Sequence, residues 1–326
     1  MASAVSYPSS MKPFQTLPVA TLPERPTTPH PYYELESRDV VVPCDWGPLR
    51  SHVRCGGQGP PLLLLHGLMT AGYSWRYVVR PLGEHFRLFI VDFPSAGRSE
   101  RSPRGTTPAD VSRWLSALVD ALGIRGTRVI GNSMGGYLAM GWAMDDPGAM
   151  SRLVNLHSPG FPEPRLYALH AAMKVPGVRR VLRSLIEADP RRWVQRNVHY
   201  YDETLKSLEE LDEYGAPLLG RDGAAAFARI LRDSMSPYAM EAFVARLERE
   251  RFPVPLQLVY ARQDPLVPPT YGERFAALVP EAELVWLERG SHFAHVDAPD
   301  LFVEAVMPFL EGPSEEGASA VSDHRG

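Results

Sequence analysis

Three residues of the right type stand where nucleophilic acyl chemistry would need them. Ser133 lies in Gly131-Asn132-Ser133-Met134-Gly135, a G-x-S-x-G pattern followed by Gly136. The apolar run Thr127–Ile130 precedes it and helical spacing over Met134–Met144 follows. This is the signature of a strained strand-to-helix turn, whose neighbours must be tiny for the chains to approach. Such a turn lifts the serine hydroxyl clear of the sheet. It also sets the hydroxyl at a helix N-terminus, where the dipole favours developing negative charge. A serine alone is a weak nucleophile and needs a base with an orienting carboxylate. His292, in Gly290-Ser291-His292-Phe293, follows the apolar run Leu284–Leu287. Asp264, before Pro265, follows the run Leu256–Tyr260. The chain order is Ser, Asp, His, as the elbow arrangement expects.

Acyl transfer also needs two donors for the oxyanion. One is the backbone N–H after the nucleophile, on Met134. The other is expected from His66-Gly67-Leu68-Met69, after the run Leu62–Leu65, with Leu68 preferred and Met69 the alternative. His66 reads as structural, its ring bonded to the loop. His295 is the rival base, but three residues past His292 it should fall towards the next helix. There is no H-E-x-x-H, no Cys–His zinc spacing and no G-x-G-x-x-G after a strand, so no cofactor or metal is expected.

The elements that must position these residues are legible. Short apolar runs at 62–65, 88–91, 127–130, 153–156, 256–260 and 284–287 suit strands buried on both faces of a parallel sheet. Arg38–Val42 and Leu49–Arg54 suit a hairpin across the turn Asp45–Pro48. Helical spacing lies between the runs: Tyr73–Leu82, Pro108–Leu122, Met134–Met144, Tyr271–Leu278 and Ala298–Leu310. Alternation of strand and helix means an open α/β sheet. From Gly160 to about Arg251 no strand is evident. Helical patterns at 166–173, 178–186, 201–211, 224–233 and 238–250 fill that interval. The expected organisation is therefore a core over 38–159 and 252–311 with a helical cap (lid) over 160–251. A Pro-rich disordered leader over 1–37 and a disordered tail over 312–326 complete it.

Composition excludes several classes. Lys+Arg is 34 against Asp+Glu 38, a net charge of -4, without the basic surplus of a nucleic-acid binder. No apolar run approaches the roughly 20 residues that span a bilayer. The first residues lack a basic start and an apolar block, so a cytoplasmic location is expected. Two cysteines, Cys44 and Cys55, rule out a disulfide framework and are expected reduced.

Together His66-Gly67, Asp92-Phe93-Pro94, Gly131–Gly136, Asp264 and Gly290-Ser291-His292 resemble the α/β-hydrolase superfamily, most of all its capped single-domain members. The resemblance covers roughly Val40 to Leu310. It implies an α/β-hydrolase fold, an eight-stranded, mostly parallel sheet with an inserted helical lid. One departure is Ser95, where the loop Asp92–Ser99 usually has its first glycine. Relatives that cleave epoxides or carbon–halogen bonds look similar around Asp92–Ser99 and Tyr73-Ser74-Trp75 but use an aspartate nucleophile, which Ser133 is not. Gly-Asn-Ser-Met-Gly-Gly is similar to the elbow of meta-cleavage-product hydrolases and also of plain esterases.

The expected function is therefore a serine hydrolase of a carboxylic ester or related small apolar acyl substrate, with water as co-substrate. A carbon–carbon bond hydrolase or lactonase is the alternative, favoured if an arginine or asparagine faces Ser133. A small-molecule receptor on the same fold is the further one. Trp193, Tyr200, Tyr201, Tyr214, Phe227, Tyr238 and Phe243 are expected mostly as cap core, with a minority lining an apolar pocket. Arg179-Arg180 and Arg191-Arg192 read as a solvated helix face.

Overall fold

A computed structural model describes residues 13–312. The strands are β1 (Glu36–Cys44), β2 (Gly47–Gly56), β3 (Pro61–Leu65), β4 (Arg87–Val91), β5 (Thr127–Asn132), β6 (Met150–Leu156), β7 (Leu256–Ala261) and β8 (Glu283–Leu287). They form one sheet in the order β1-β2-β4-β3-β5-β6-β7-β8. β1 pairs antiparallel with β2, and β2 with β4; every other pairing is parallel. This is the α/β-hydrolase fold, as expected.

Continuous apolar strands arise because helices cover both faces. Leu63 and Leu65 of β3 join one core cluster, while Leu62 and Leu64 join the other, the period of two that a pleated strand imposes. The first cluster packs under α2 (Pro108–Leu122), α3 (Met134–Asp145) and α10 (Thr270–Leu278). The second packs under α1 (Val79–Gly83), α11 (Ala294–Asp297) and α12 (Pro299–Glu311). Helix α2 follows its sequence signals closely. Thr107 accepts a bond from the Asp110 N–H at its start, and Gly123 ends it at φ 67°, a cap worth about 1 kcal/mol. Val111, Trp114, Leu115 and Leu118 are buried along one stripe.

Six helices separate β6 from β7: α4 (Pro164–Met173), α5 (Pro176–Ala188), α6 (Pro190–Asn197), α7 (Leu208–Gly215), α8 (Gly220–Asp233) and α9 (Pro237–Leu247). Two differ from the sequence reading. The helix expected over 201–211 starts only at Leu208, because Ser207 caps it by accepting from the Glu210 N–H. Ser207-x-x-Glu210 is a capping-box spacing. Helix α6 was not expected, since Trp193 and Val194 are its only large apolar residues; Asp189 caps it ahead of Pro190. The helix expected over 73–82 is split into a 3-10 turn at Gly72–Trp75 and the short α1.

The leader differs more. Residues 1–12 and the tail beyond Gly312 lie outside the described residues, but 13–37 dock on the body rather than hang free. Leu22 and Tyr32 are buried. The N–H groups of Leu208 and Glu209 donate to the carbonyls of Pro23 (2.8 Å) and Glu24 (3.0 Å). Those N–H groups open α7 and have no partner within it, and an extended Pro-rich strand offers carbonyls of this kind. Cys44 and Cys55 are free thiols. They pair with Gly47 and Glu36, at opposite ends of the β1–β2 hairpin, about 26 Å apart by strand rise. That is beyond a disulfide.

The insertion is tied to the core by a buried ion pair. Arg76, after the 3-10 turn, donates to Glu210 of α7, and both side chains are fully buried. The Tyr73 and Tyr77 rings stack on the guanidinium at 4.7 and 4.5 Å. Glu210→Ala should strand this cation and cost about 3–5 kcal/mol. Arg76→Met with Glu210→Leu should recover most of the loss. Urea denaturation midpoints read both; an unchanged midpoint in the single variant would remove the pair from the account of stability.

Candidate active site

The geometry of Ser133 begins with its backbone. It sits at φ 53°, ψ -122° between β5 and α3, a region costing about 1–3 kcal/mol for a residue with a Cβ. Its N–H donates to Leu156 O at 2.8 Å. Its carbonyl accepts from Ser158 Oγ at 3.0 Å. A Cβ on Gly131 would lie 2.6 Å from Gly136 Cα, and one on Gly135 would lie 2.6 Å from Leu65 O. On Gly136 it would strike Ser158 Oγ. All three glycines of the motif are therefore required by contact.

Asp264 and His292 meet at the ends of β7 and β8. His292 Nδ1 donates to Asp264 Oδ2 at 2.7 Å, which leaves Nε2 as the basic nitrogen. Asp264 Oδ1 accepts the N–H groups of Leu266 (2.7 Å) and Val267 (2.9 Å). Burial by itself would raise the Asp264 carboxyl. Its contacts with the His292 and His157 rings override it and hold the group well below the usual carboxylate range. Asn132, beside the serine, donates to His292 O at 3.0 Å, so the elbow and the base loop are bonded directly.

Ser133 and His292 line one cavity of about 380 Å³. Leu68, Met69, Leu166, Leu182, Trp193, Phe227 and Leu266 give it an apolar wall. Helices α4, α5, α6 and α8 supply part of that wall, so the insertion roofs the serine. Of the seven aromatics expected in the cap, Trp193 and Phe227 reach the cavity, Tyr200 and Tyr214 are buried in the core, and Tyr238 is exposed.

The residues expected as oxyanion donors flank the serine. A Cβ on Gly67 would lie 3.2 Å from Ser133 Cβ, so the loop carrying Leu68 packs on the elbow. The Met134 N–H is among the first of α3 and has no partner within the helix. His66 accepts from the Phe93 N–H at Nε2 (3.1 Å) and donates from Nδ1 to Gly67 O (2.8 Å), a structural arrangement. His295 is fully buried, its ring 4.2 Å from that of Trp75. Burial pushes its pKa well down, and it does not line the cavity. Ser95 takes φ 70°, the left-handed conformation for which glycine is usual. Its hydroxyl holds the turn by accepting from the Ser102 N–H.

Sequence reasoning missed His157, directly after β6 at φ 53°. Its Nδ1 lies 2.8 Å from Asp264 Oδ2. The available signal was its place after an apolar run, as for Asp264 and His292. Donor atoms of His157, Asp264 and His292 lie within 4.8 Å of one another. Both Nδ1 atoms face the carboxylate, and a metal there would displace these contacts.

The model of the α/β hydrolase fold family matches residues 60–299. The chain belongs to this family. A pimeloyl-[acyl-carrier protein] methyl ester esterase of Aeromonas hydrophila is 27% identical, covering 78% of this chain and 96% of its own. A 2-hydroxy-6-oxononadienedioate/2-hydroxy-6-oxononatrienedioate hydrolase of Burkholderia vietnamiensis is 28% identical, covering 84% and 95%. Among solved structures, a ligand-free epoxide hydrolase superposes with a TM-score of 0.72 at 20% identity, covering 85% of this chain and 99% of its own, a likeness of fold. Names across the family support hydrolase activity for this chain. Among the described residues no helix is long and apolar enough to cross a membrane.

Two outcomes follow for the site. Gly135→Ala meets backbone oxygen that cannot move aside, so a loss of about 1–3 kcal/mol is expected. Labelling of Ser133 by a fluorophosphonate should fall with it; wild-type labelling and melting would contradict the packing. The low pKa of Asp264 contributes stability above its unfolded value of about 4 and withdraws it as pH falls below that. Asp264→Asn should therefore be less stable at pH 7 and lose less further stability between about pH 4 and 2. Denaturant titrations across pH compare the slopes, and equal slopes would refute the assignment.

Proposed function

We propose that the chain is a serine hydrolase of carboxylic esters or related acyl substrates, acting through Ser133, His292 and Asp264. The observation that carries this reading is Ser133, raised on a strained turn into the cavity that His292 also lines, with Asp264 bonded behind it. In this mechanism His292 Nε2 takes the Ser133 proton as Oγ attacks the acyl carbon. Asp264 fixes the imidazole tautomer and stabilises its charged form. The N–H groups of Met134 and Leu68 hold the oxyanion, worth about 3 kcal/mol per donor. His292 then passes its proton to the leaving group. Water, deprotonated by the same ring, releases the acyl group and restores Ser133. No step requires a metal or organic cofactor.

The cavity supports a small apolar acyl group. Its volume of about 380 Å³ is at the low end of ligand pockets, roughly 300–1,000 Å³. A second reading has its own observation: Arg165 and Asn197 also line the cavity, the types that would hold a substrate carboxylate in carbon–carbon cleavage. Glu163 pairs with Arg165, and Asn197 donates to Trp193 O at 2.7 Å. Those contacts use only part of each group's donors, and the mainly apolar remainder of the wall puts the ester reading first.

Hydrolysis of p-nitrophenyl esters, acetate through long-chain, tests the proposal. Short to medium chains should be preferred, and Ser133→Ala should lower kcat by a factor of about 10³ or more. Turnover of a ring-fission dienone with none of any ester would favour the second reading. Neither turnover nor fluorophosphonate labelling would overturn both.

A further inference from the structure

We propose that His157 is a positioning residue for Asp264, a neutral imidazole with a fixed tautomer that gives the carboxylate a second ring N–H beside that of His292. This rests on the reading of Ser133, His292 and Asp264 as the reacting set.

The tautomer follows from contacts. The Ala261 N–H donates to His157 Nε2 at 2.9 Å, so that nitrogen is the acceptor and the ring proton is on Nδ1. Nδ1 lies 2.8 Å from Asp264 Oδ2, the oxygen that takes His292 Nδ1 at 2.7 Å. The approach is oblique to the N–H direction, a close dipole-to-charge contact more than an aligned hydrogen bond. The backbone fixes the ring as well: the His157 N–H donates to Val259 O at 3.0 Å, and the side chain is fully buried.

The groups facing this ring leave one charge for it to meet. From β7 and its loop come Tyr260, with ring centroids 5.3 Å apart, and Asp264. From the β8 loop comes His292, at 5.7 Å between centroids, and from α11 comes His295. Burial pushes the Tyr260 phenol well up and the His295 ring well down, so both stay neutral. Burial also lowers His157 itself against the pull of Asp264.

Two effects follow from a second donor on Oδ2. The carboxylate is held against rotation, so the oxygen facing His292 Nδ1 stays in place. The His157 proton also takes up part of the charge on that oxygen, which reduces how strongly Asp264 favours protonated His292. Without His157 the carboxylate presents more of its charge to the His292 ring.

The test compares His157→Leu, which removes the donor, with His157→Asn, which restores one and tolerates the positive φ. In ester hydrolysis, His157→Leu should lower kcat about tenfold or more with KM within about threefold. The acid limb of its kcat/KM profile should move up by about half a pH unit or more. His157→Asn should return both towards wild type. A wild-type kcat and limb in His157→Leu, or a fall in kcat with an unmoved limb that asparagine does not rescue, would overturn the proposal. Ring nitrogen NMR of the folded Ser133→Ala protein reads the same contact without turnover. It should show His157 neutral, protonated at Nδ1 and not titrating across the active pH range. The opposite tautomer or a titrating ring overturns the proposal even if the leucine variant fails to fold. If Ser133→Ala keeps wild-type activity, the serine reading fails by itself while the NMR still decides the ring contact.

Discussion

The constraint on which the rest of the site depends is the backbone of Ser133. A serine at φ 53°, ψ -122° is held against its own preference and persists only because its surroundings over-determine it. The end of β6 takes its N–H, and Ser158 bonds its carbonyl. Gly131 and Gly136 nearly touch, and Gly135 lies against the carbonyls that end β3. Each of these contacts comes from a strand adjacent to β5, from the residues that directly follow such a strand, or from the helix that follows β5. The parallel order β3-β5-β6 is thus the reason that the turn can exist. The strained turn sets Ser133 at the start of α3 and on the wall of the cavity.

A second theme is how the protein buries charge. Asp264 lies at the end of β7 with its side chain out of water, which would make a carboxylate costly. Three N–H groups bond its two oxygens, two from backbone and one from His292, and His157 Nδ1 lies close beside them. The opposite balance holds at His295, buried beside Trp75 and Phe302 without a carboxylate partner. Burial there keeps the ring neutral. Two histidines three residues apart are thereby given different surroundings, one bonded to a buried carboxylate and the other packed among aromatic rings.

The insertion supplies part of the cavity wall, and it is anchored by contacts remote from the serine. Helix α7 carries Glu210 to Arg76 in the core and offers its first N–H groups to the Pro-rich arm. Tyr73 of the core donates to Glu209 of α7 and approaches His30 of the arm. Arm, core and insertion thus share one polar and aromatic junction.

The sequence by itself determined the sheet, the elbow and the chain order of Ser133, Asp264 and His292. Those features depend on local signals: apolar runs of strand length, glycines demanded by a close approach, and caps such as Thr107. The residues 13–37 were misread because proline content reports local extension, whereas docking depends on N–H groups of α7 about 180 residues away. Helix α6 was missed because its stability comes from caps and packing rather than from an apolar stripe. His157 carried no motif. Only the pairing of β6 with β7, which brings the ends of distant strands together, shows that its ring meets Asp264. Which cap residues face the serine was likewise decided by tertiary packing: helical periodicity assigns a buried face but not the neighbour that it is buried against.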